Sequence, residues 1–325
     1  MIRIHLSAED LTETRLAFSP VWEAVQSLDA VWDPGKYVFH LPWIGEAKQR
    51  MAGLDLEPLR ALLPPSPCYR ADFITPPPDG PYPDLAEELE RIRATPHDIV
   101  RREVGRTYPD GAMPKAARAY IDDPDAALRG LTDALEAYWQ ATLAEHWPRL
   151  RSVLEGDVLY RAKRLALEGA EGLFDDLHPA VSWSDGVLSV DKRWEQDLSP
   201  EGRGVLLVPV AFSCPKCTVI TDPPWQPTLT YTPRGIATLW ERDRIPTDDA
   251  LDELVGGTRA AILRALEIPM TTTEMASRLG VTPGAVSQQL SVLRRAGVVD
   301  AHRSGRGVYS ELTPLGESLL SLLGT

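Results

Sequence analysis

Near the C-terminal end of the chain, the spacing of apolar residues changes from helical to alternating and back to helical. A first helix is predicted after Thr272 or Thr273, either of which can cap it, and Gly280 suits the left-handed position that ends a helix. Its apolar face comprises Met275, Ala276 and Leu279. Thr282 and Pro283 then predict the cap and the first position of a second helix. The pattern therefore predicts two short helices joined by a tight turn.

The predicted second helix, Pro283–Ala296, has two different faces at about 100° per residue. Its inward face holds Val286, Leu290 and Leu293. Its outward face holds Gly284, Gln288, Ser291 and Arg295, with Ser287 and Arg294 on the flanks. No carboxylate lies on the outward face, whereas glutamine can pair with adenine, and serine and arginine can hold bases or phosphates. This composition favours a surface that meets nucleic acid.

Two strands and a third helix are predicted to follow. The first strand runs from Val298 to Ser304, a tip follows at Gly305-Arg306-Gly307, and the return strand contains Val308, Tyr309 and Leu312. Thr313 and Pro314 repeat the cap-plus-proline start, before a helix with Leu315, Leu319, Leu320 and Leu323. Residues 246–325 thus have the pattern of a winged helix-turn-helix, a unit that commonly places one helix in the major groove of DNA.

The sequence VSQQLSVLRRAGVV, followed by a short basic wing, resembles the ArsR-like winged-helix transcriptional regulators of bacteria. The resemblance is confined to the C-terminal unit and implies that Ser287, Gln288 and Ser291 face DNA while arginines of an Arg303–Tyr309 wing touch phosphate. The predicted DNA-contacting set is Thr282, Gly284, Ser287, Gln288, Ser291, Arg294, Arg295, Arg303, Arg306 and Tyr309. One departure is Gln289, where many relatives carry histidine. The alternative is a winged helix that binds protein only.

The distribution of charge restricts where DNA could bind. The whole chain has a formal charge of −13, but the stretch from Gly256 to Thr325 carries seven arginines against five acids, which is +2. The remainder is therefore −15, so phosphate contacts are expected only in the C-terminal unit. Because +2 is small, we expect two copies to bind together on a palindromic site, as two-fold symmetric regulators do.

A homodimer is also implied by the resemblance, since ArsR-like proteins pair their first and last helices across the dimer. The first helix would carry Ile262 and Leu266, and the last would carry Leu315, Leu319 and Leu323. A further short helix is predicted to begin at Thr247-Asp248-Asp249. The alternative is that these apolar residues only close the core of their own unit.

Residues 1–245 are predicted to form a separate, mostly helical body, so that the fold class is mainly α (α+β). The helical signals include Ser19-Pro20 and an apolar stripe between Leu128 and Leu143, and separate helices are expected over 147–154 and 158–170. Alternation at 181–190 around Asp185-Gly186, with apolar runs at 204–212 and 228–231, predicts a small antiparallel sheet. The body is similar to the N-terminal region of a little-described group of bacterial regulators, and this resemblance implies no ligand.

Candidate chemistry in the body is sparse. Cys214-Pro-Lys-Cys217 could bind zinc or react as a redox pair, yet the third cysteine, Cys68, is distant in sequence, and two ordinary small residues at a strand end are the favoured interpretation. The six histidines are scattered, and no phosphate-binding or nucleophile motif occurs. We therefore expect neither catalysis nor a cofactor or metal. Without a long apolar run or a secretory signal, a cytoplasmic protein is expected.

Nine tryptophans, all in the body, are the remaining clue. They can pack a core, which is the favoured interpretation, or line a pocket for a small-molecule effector. The sequence as a whole predicts a homodimeric repressor whose partners are double-stranded DNA and an effector of the N-terminal body. The alternatives are a ligand-binding or enzymatic body with a winged helix for protein contact, and a thiol or metal sensor through Cys214 and Cys217.

Overall fold

The computed structural model describes residues 1–65, 68–240, 250–266, 268–304 and 307–323. Contacts within the chain divide it into two units, Met1–Trp240 and Glu241–Thr325. The predicted boundary between residues 245 and 246, and the helix start predicted at Thr247-Asp248-Asp249, lie outside the described residues. In the described part of the chain, no helix combines the length and the apolar character needed to cross a membrane.

Side-chain caps set the starts of several helices in the first unit. Ser7 with Asp10 and Asp84 with Glu87 form reciprocal capping boxes, and Ser19 accepts a hydrogen bond from the backbone of Trp22. The helices are α1 (Ala8–Glu13), α2 (Pro20–Trp32), α3 (Leu41–Arg50), α4 (Glu57–Arg60), α5 (Leu85–Arg93), α6 (His97–Thr107), α7 (Lys115–Asp122), α8 (Pro124–Thr142) and α9 (Trp147–Phe174). The two helices expected over 147–170 are one helix, α9, with a non-helical residue at Gly169.

Among its described residues, the first unit contains two four-stranded sheets of mixed direction, where one small antiparallel sheet was expected. The strands are β1 (Ile2–His5), β2 (Arg15–Leu16), β3 (Val181–Ser184), β4 (Val187–Val190), β5 (Gln196–Leu198), β6 (Leu206–Pro209), β7 (Val219–Ile220) and β8 (Thr228–Tyr231). The orders are β3-β4-β1-β5 and β2-β6-β8-β7, with β1/β5, β2/β6 and β6/β8 parallel. Alternation predicted the β3–β4 hairpin correctly, but it carries no information about pairing with β1, which begins at residue 2.

The largest core of the first unit lies among its helices. Trp43, Phe73 and Tyr138 are buried there, and Trp22 is buried in a smaller cluster against β6. These side chains pack a core, as the favoured interpretation of the tryptophans expects. Trp194 is exposed, and Trp32 is only half-buried.

The second unit has the predicted elements in the predicted order, with one further strand, β9, that the sequence did not predict. Its elements are α10 (Ala250–Val255), α11 (Gly257–Ala265), β9 (Met270–Thr271), α12 (Thr272–Leu279), α13 (Pro283–Arg295), β10 (Val299–Ser304), β11 (Gly307–Leu312) and α14 (Pro314–Leu323). The three strands form an antiparallel sheet in the order β10-β11-β9. The predicted fold class, a mainly helical body followed by a winged helix-turn-helix, is confirmed.

One predicted cap in this unit is wrong. Thr271, and neither Thr272 nor Thr273, caps α12 through a reciprocal capping box with Glu274. The signal was in the sequence, because the spacing Ser/Thr-x-x-Glu places the cap three residues before the glutamate. The backbone donation from Thr271 also lowers the pKa of Glu274. Gly280 ends α12 with a φ of 67°, which is the left-handed conformation expected there.

Candidate nucleic-acid interface

Helix α13 presents the predicted polar face to solvent. Thr282 caps the helix by accepting a hydrogen bond from the backbone of Ala285 at 3.3 Å. The exposed residues of the face are Gly284, Ser287, Gln288, Ser291, Arg294 and Arg295. Within the described part of this helix and its cap, the exposed face has no acidic side chain, so a phosphate backbone would meet no like charge along it.

The opposite side of α13 anchors the helix to its unit. Val286 and Leu290 are fully buried, and Leu293 is nearly so. They share a core with Met275 of α12 and Ile262 of α11. Since core packing fixes the rotation of the helix, the same residues always face outward.

The protein leaves room for a side chain at Gly284. A Cβ atom built at this position meets no atom within 4 Å among the described residues, and the glycine has ordinary helical backbone. A helix position that could hold alanine, yet holds glycine, forgoes about 0.5–1 kcal/mol of helix stability. Packing within the protein therefore does not explain a glycine at this position. Close approach of a DNA backbone would explain it.

Arg294 connects the recognition face to the wing. Its Nη2 atom donates a hydrogen bond to the Oγ atom of Ser310 in β11, at 3.0 Å. Ser310 is 1% exposed, and Arg294 itself remains exposed. Arg294 is a predicted DNA contact, but its partner Ser310 could not be predicted, because no local pattern in a sequence indicates a contact between a helix and a strand that follows it.

The wing strands hold a mixed set of side chains. Arg303 is exposed and lies opposite Val308, which is also exposed. Tyr309 is half-buried and stacks on His302, with ring centroids 6.0 Å apart, and His302 lies 3.3 Å from a carboxylate oxygen of Glu311. Arg306, the other predicted wing contact, lies outside the described residues. Among the predicted wing residues, Arg303 is thus available to a ligand, and Tyr309 is partly committed to His302.

Gln289, the departure from the ArsR-like pattern, lies on the flank of α13. It is half-buried, and its Oε1 atom is 3.5 Å from Nη1 of Arg259 in α11. Its neighbour Gln288 is exposed on the outward face. The two adjacent glutamines therefore have different surroundings, and the residue that departs from the family pattern faces its own unit.

The helices proposed for dimer contact divide into buried and exposed residues. Ile262 and Leu266 are buried in the core of their own unit, and Leu319, Leu320 and Leu323 pack against the same core. The apolar pattern of these residues is therefore explained by the alternative, in which they close the core of their own unit. Leu315 of α14 is 58% exposed and Leu254 of α10 is 63% exposed, on two helices that contact each other. These two leucines remain available to a second copy.

The cysteine pair in the first unit is in thiol form. Cys217 is buried and burial raises the pKa of its thiol to about 11, while burial also raises the pKa of Cys214. The thiolate is the form that binds metal or attacks a disulfide, so both shifts oppose a sensor role at neutral pH. Throughout the described ranges, no three His, Cys, Asp or Glu side chains are placed to share a metal ion.

Two buried ionisable groups in the first unit, Glu23 and His40, are held by structural partners. Glu23 accepts hydrogen bonds from the backbone of Ala211 at 2.7 Å and Phe212 at 3.3 Å, and burial raises its pKa to about 8. His40 has a pKa lowered by burial to about 4, one ring nitrogen lying 3.0 Å from the carbonyl of Ala211 and the other 2.8 Å from the indole nitrogen of Trp240. A neutral imidazole satisfies both contacts, with Nε2 donating and Nδ1 accepting.

Two parts of the chain match known family models. Residues 257–302 match a family model described as a helix-turn-helix domain, and residues 111–235 match one described as a family of unknown function (DUF5937). No curated protein and no solved structure matches the chain. Residues 257–302 belong to an ArsR-type helix-turn-helix domain, which implies DNA binding, and the resemblance stated for each part of the chain is confirmed.

Proposed function

We propose that this protein is a homodimeric transcriptional repressor, active in the cytoplasm, and not an enzyme. It reads a palindromic DNA site with the Pro283–Ala296 helix in the major groove and the Arg303–Tyr309 wing on the backbone. The observation that carries this proposal is the exposed, acid-free face of α13 within a helix-turn-helix domain.

Electrostatics supports binding as a pair. The stretch from Gly256 to Thr325 has a formal charge of +2 in a chain of −13, so one unit gains little from counterion release and the acidic remainder repels DNA. Two copies on one duplex double the number of phosphate contacts. They also match the two-fold symmetry of a palindrome, with half-sites about one helical turn apart.

The contact between the two copies is assigned to α10 and α14. Leu254 and Leu315 are large apolar side chains exposed on these adjacent helices. Burying such leucines against a second copy is favourable by about 1.5–3 kcal/mol for each side chain. The last helix, α14, would then take part in the dimer, as the ArsR-like resemblance implies. The other helix differs from that resemblance, because α10 replaces α11, whose Ile262 is buried in its own unit.

The test begins with genome-wide mapping of the DNA bound by the intact protein. The affinity for a mapped site is then measured over a series of salt concentrations for the intact protein and for Arg295→Ala and Arg303→Ala. Each lost phosphate contact should lower the slope of log affinity against log salt by about 1. Deleting the gene should raise transcription from the mapped promoters if the protein is a repressor.

Arg118→Ala is the matched control, since Arg118 is exposed on α7 of the first unit. It should leave both affinity and salt slope unchanged. A winged helix that contacts only protein predicts no salt-dependent DNA binding for any of these proteins, and that result would overturn the proposal.

A further inference from the structure

A cleft in the first unit lies beside the C-terminal ends of α2 and α3 and the start of α4. Its volume is about 580 Å³, which is within the size range of small-molecule sites. The side chains that matter for recognition are Trp32, Lys48, Met51, Leu54, Leu56 and Arg60. An apolar wall and two cations thus share one opening.

The position of Arg60 is set by an aromatic ring. Its guanidinium carbon lies 5.0 Å from the centroid of the Trp32 ring, a distance at which a cation is attracted to the face of an indole. The exposed ammonium of Lys48 lines the same cleft. In the described part of the chain, no carboxylate oxygen lies within 4.0 Å of a side-chain nitrogen of Arg60 or Lys48.

Two acids also line the cleft, but one of them is engaged. The Oδ1 atom of Asp55 accepts a hydrogen bond from the backbone of Glu57 at the start of α4, at 3.1 Å. This contact directs the carboxylate of Asp55 to its own backbone. Asp55 and Glu57 offset the charge of the two cations, but among the described residues neither acid forms an ion pair with Lys48 or Arg60, so both cations can still contact an anion.

The indole of Trp32 supplies a second polar feature. Its Nε1 atom is buried and has no hydrogen-bond acceptor among the described residues. A buried donor without a partner is costly, so an oxygen that reached it would be favoured. The two cations and the apolar wall therefore favour a ligand that is amphipathic and negatively charged.

We propose that this cleft binds a small amphipathic carboxylate. The apolar part of the ligand packs on Met51, Leu54 and Leu56, and its carboxylate pairs with Arg60 and Lys48. The site lies within the first unit, and it gives the N-terminal body of the proposed regulator a ligand of defined chemistry. An acidic chain repels anions in general, so the two cations also determine where an anion can bind.

The experiment is titration calorimetry of the full chain without DNA, using 2-naphthoate as the probe and 2-naphthamide as its neutral counterpart. We expect saturable binding of the carboxylate and at least about tenfold weaker binding of the amide, because the amide lacks the charge-assisted contacts. Arg60→Gln and Lys48→Gln should each weaken binding of 2-naphthoate by about five- to tenfold. Lys115→Gln, at an exposed lysine on α7, should not change it.

Arg60→Lys keeps the charge and loses the planar group that lies near Trp32. Its affinity for 2-naphthoate should therefore lie between the affinities of the intact protein and of Arg60→Gln. Circular dichroism establishes that each variant is folded. The proposal is overturned by equal affinity for the carboxylate and the amide, by unchanged affinity in both glutamine variants, or by no saturable binding up to about 5 mM. Since no DNA is present, such a failure would leave the proposed regulatory function standing.

Discussion

The guanidinium of Arg294 donates to the hydroxyl of Ser310 at 3.0 Å, and this hydrogen bond joins the last turn of α13 to the middle of β11. The acceptor is buried and the donor is exposed. One side chain thus fixes the position of the wing relative to the recognition helix while its remaining donors stay accessible. We infer that the two elements proposed to contact DNA are oriented together before DNA binds.

A double-mutant cycle tests this link. Arg294→Ala and Ser310→Ala should be coupled by about 0.5–1.5 kcal/mol in the free energy of unfolding of the C-terminal unit, the usual net value of such a hydrogen bond. Denaturant titration of the two single variants and the double variant measures the coupling. Arg295→Ala combined with Ser310→Ala is the control, since Arg295 is an exposed neighbour, and this pair should be additive. Additivity in both cycles would show that the hydrogen bond does not form in solution.

Substitutions at two adjacent glutamines of α13 should have different effects on DNA affinity, because one lies on the outward face and the other on the flank. Gln288→Ala should lower affinity for the mapped site by about 1–3 kcal/mol, because an exposed glutamine can form a bidentate pair with adenine. Gln289→Ala should have a much smaller effect, because this residue faces Arg259. Fluorescence anisotropy with a labelled duplex measures both. Equal losses for the two variants would contradict the assigned rotation of the helix.

Local signals predicted most of the C-terminal unit, because caps, glycine positions and apolar spacing all act within a few residues. The cap at Thr282, the left-handed Gly280 and the inward Val286 are where the sequence placed them. The contact between Arg294 and Ser310 could not be predicted, since it depends on how a hairpin packs on a helix.

In the first unit, more of the structure depends on contacts between distant segments, which local sequence signals cannot predict. Its β3–β4 hairpin follows from alternation and a turn, while the parallel pairing of β1 with β5 places Ile2 opposite Gln196 and depends on the whole fold. The cleft beside Trp32 was also missed. Its residues come from two stretches that are separated in sequence, 31–32 and 48–60, so no motif could indicate it.

Gly284 offers a prediction in which stability and binding change in opposite directions. Gly284→Ala should raise the free energy of unfolding by a few tenths to about 1 kcal/mol, since the new methyl group meets no neighbour and alanine favours helix. If the DNA backbone approaches this turn closely, the same methyl group should weaken DNA binding. Thermal denaturation and anisotropy measure the two effects. Tighter or unchanged DNA binding would show that Gly284 does not lie in the DNA interface.

Glu23 should make the stability of the first unit depend on pH. Its folded pKa is about 8, above the value of 4.5 for an ordinary glutamic acid. Below pH 4.5 the group is protonated in both states and costs nothing. As the pH rises from 4.5 to 8, the unfolded chain loses the proton while the folded state keeps it, so the free energy of unfolding falls, by at most about 1.4 kcal/mol per pH unit.

Glu23→Gln should flatten this decline, because a neutral amide cannot ionise. The amide oxygen of the variant can still accept a hydrogen bond from the backbone of Ala211. Its NH₂ group, however, takes the place of the oxygen that accepts from Phe212. We therefore also expect a loss of stability that does not vary with pH. The readout is therefore the slope of stability against pH, measured by denaturant titration between pH 5 and 8. Glu136→Gln, at an exposed residue of α8, should leave the slope as it is. An unchanged slope in Glu23→Gln would mean that Glu23 is ionised in the fold.

The last prediction concerns the dimer. Leu315→Glu combined with Leu254→Glu should convert a dimer to a monomer in sedimentation experiments, because a charged side chain cannot be buried at an apolar contact without a partner. DNA affinity should fall with it, since each monomer then binds one half-site alone. The matched control is Leu159→Glu with Leu167→Glu, at two leucines of α9 that are 71% and 72% exposed. If the control pair dissociates the protein and the first pair does not, the copies associate through the N-terminal unit, and the assignment to α10 and α14 is wrong.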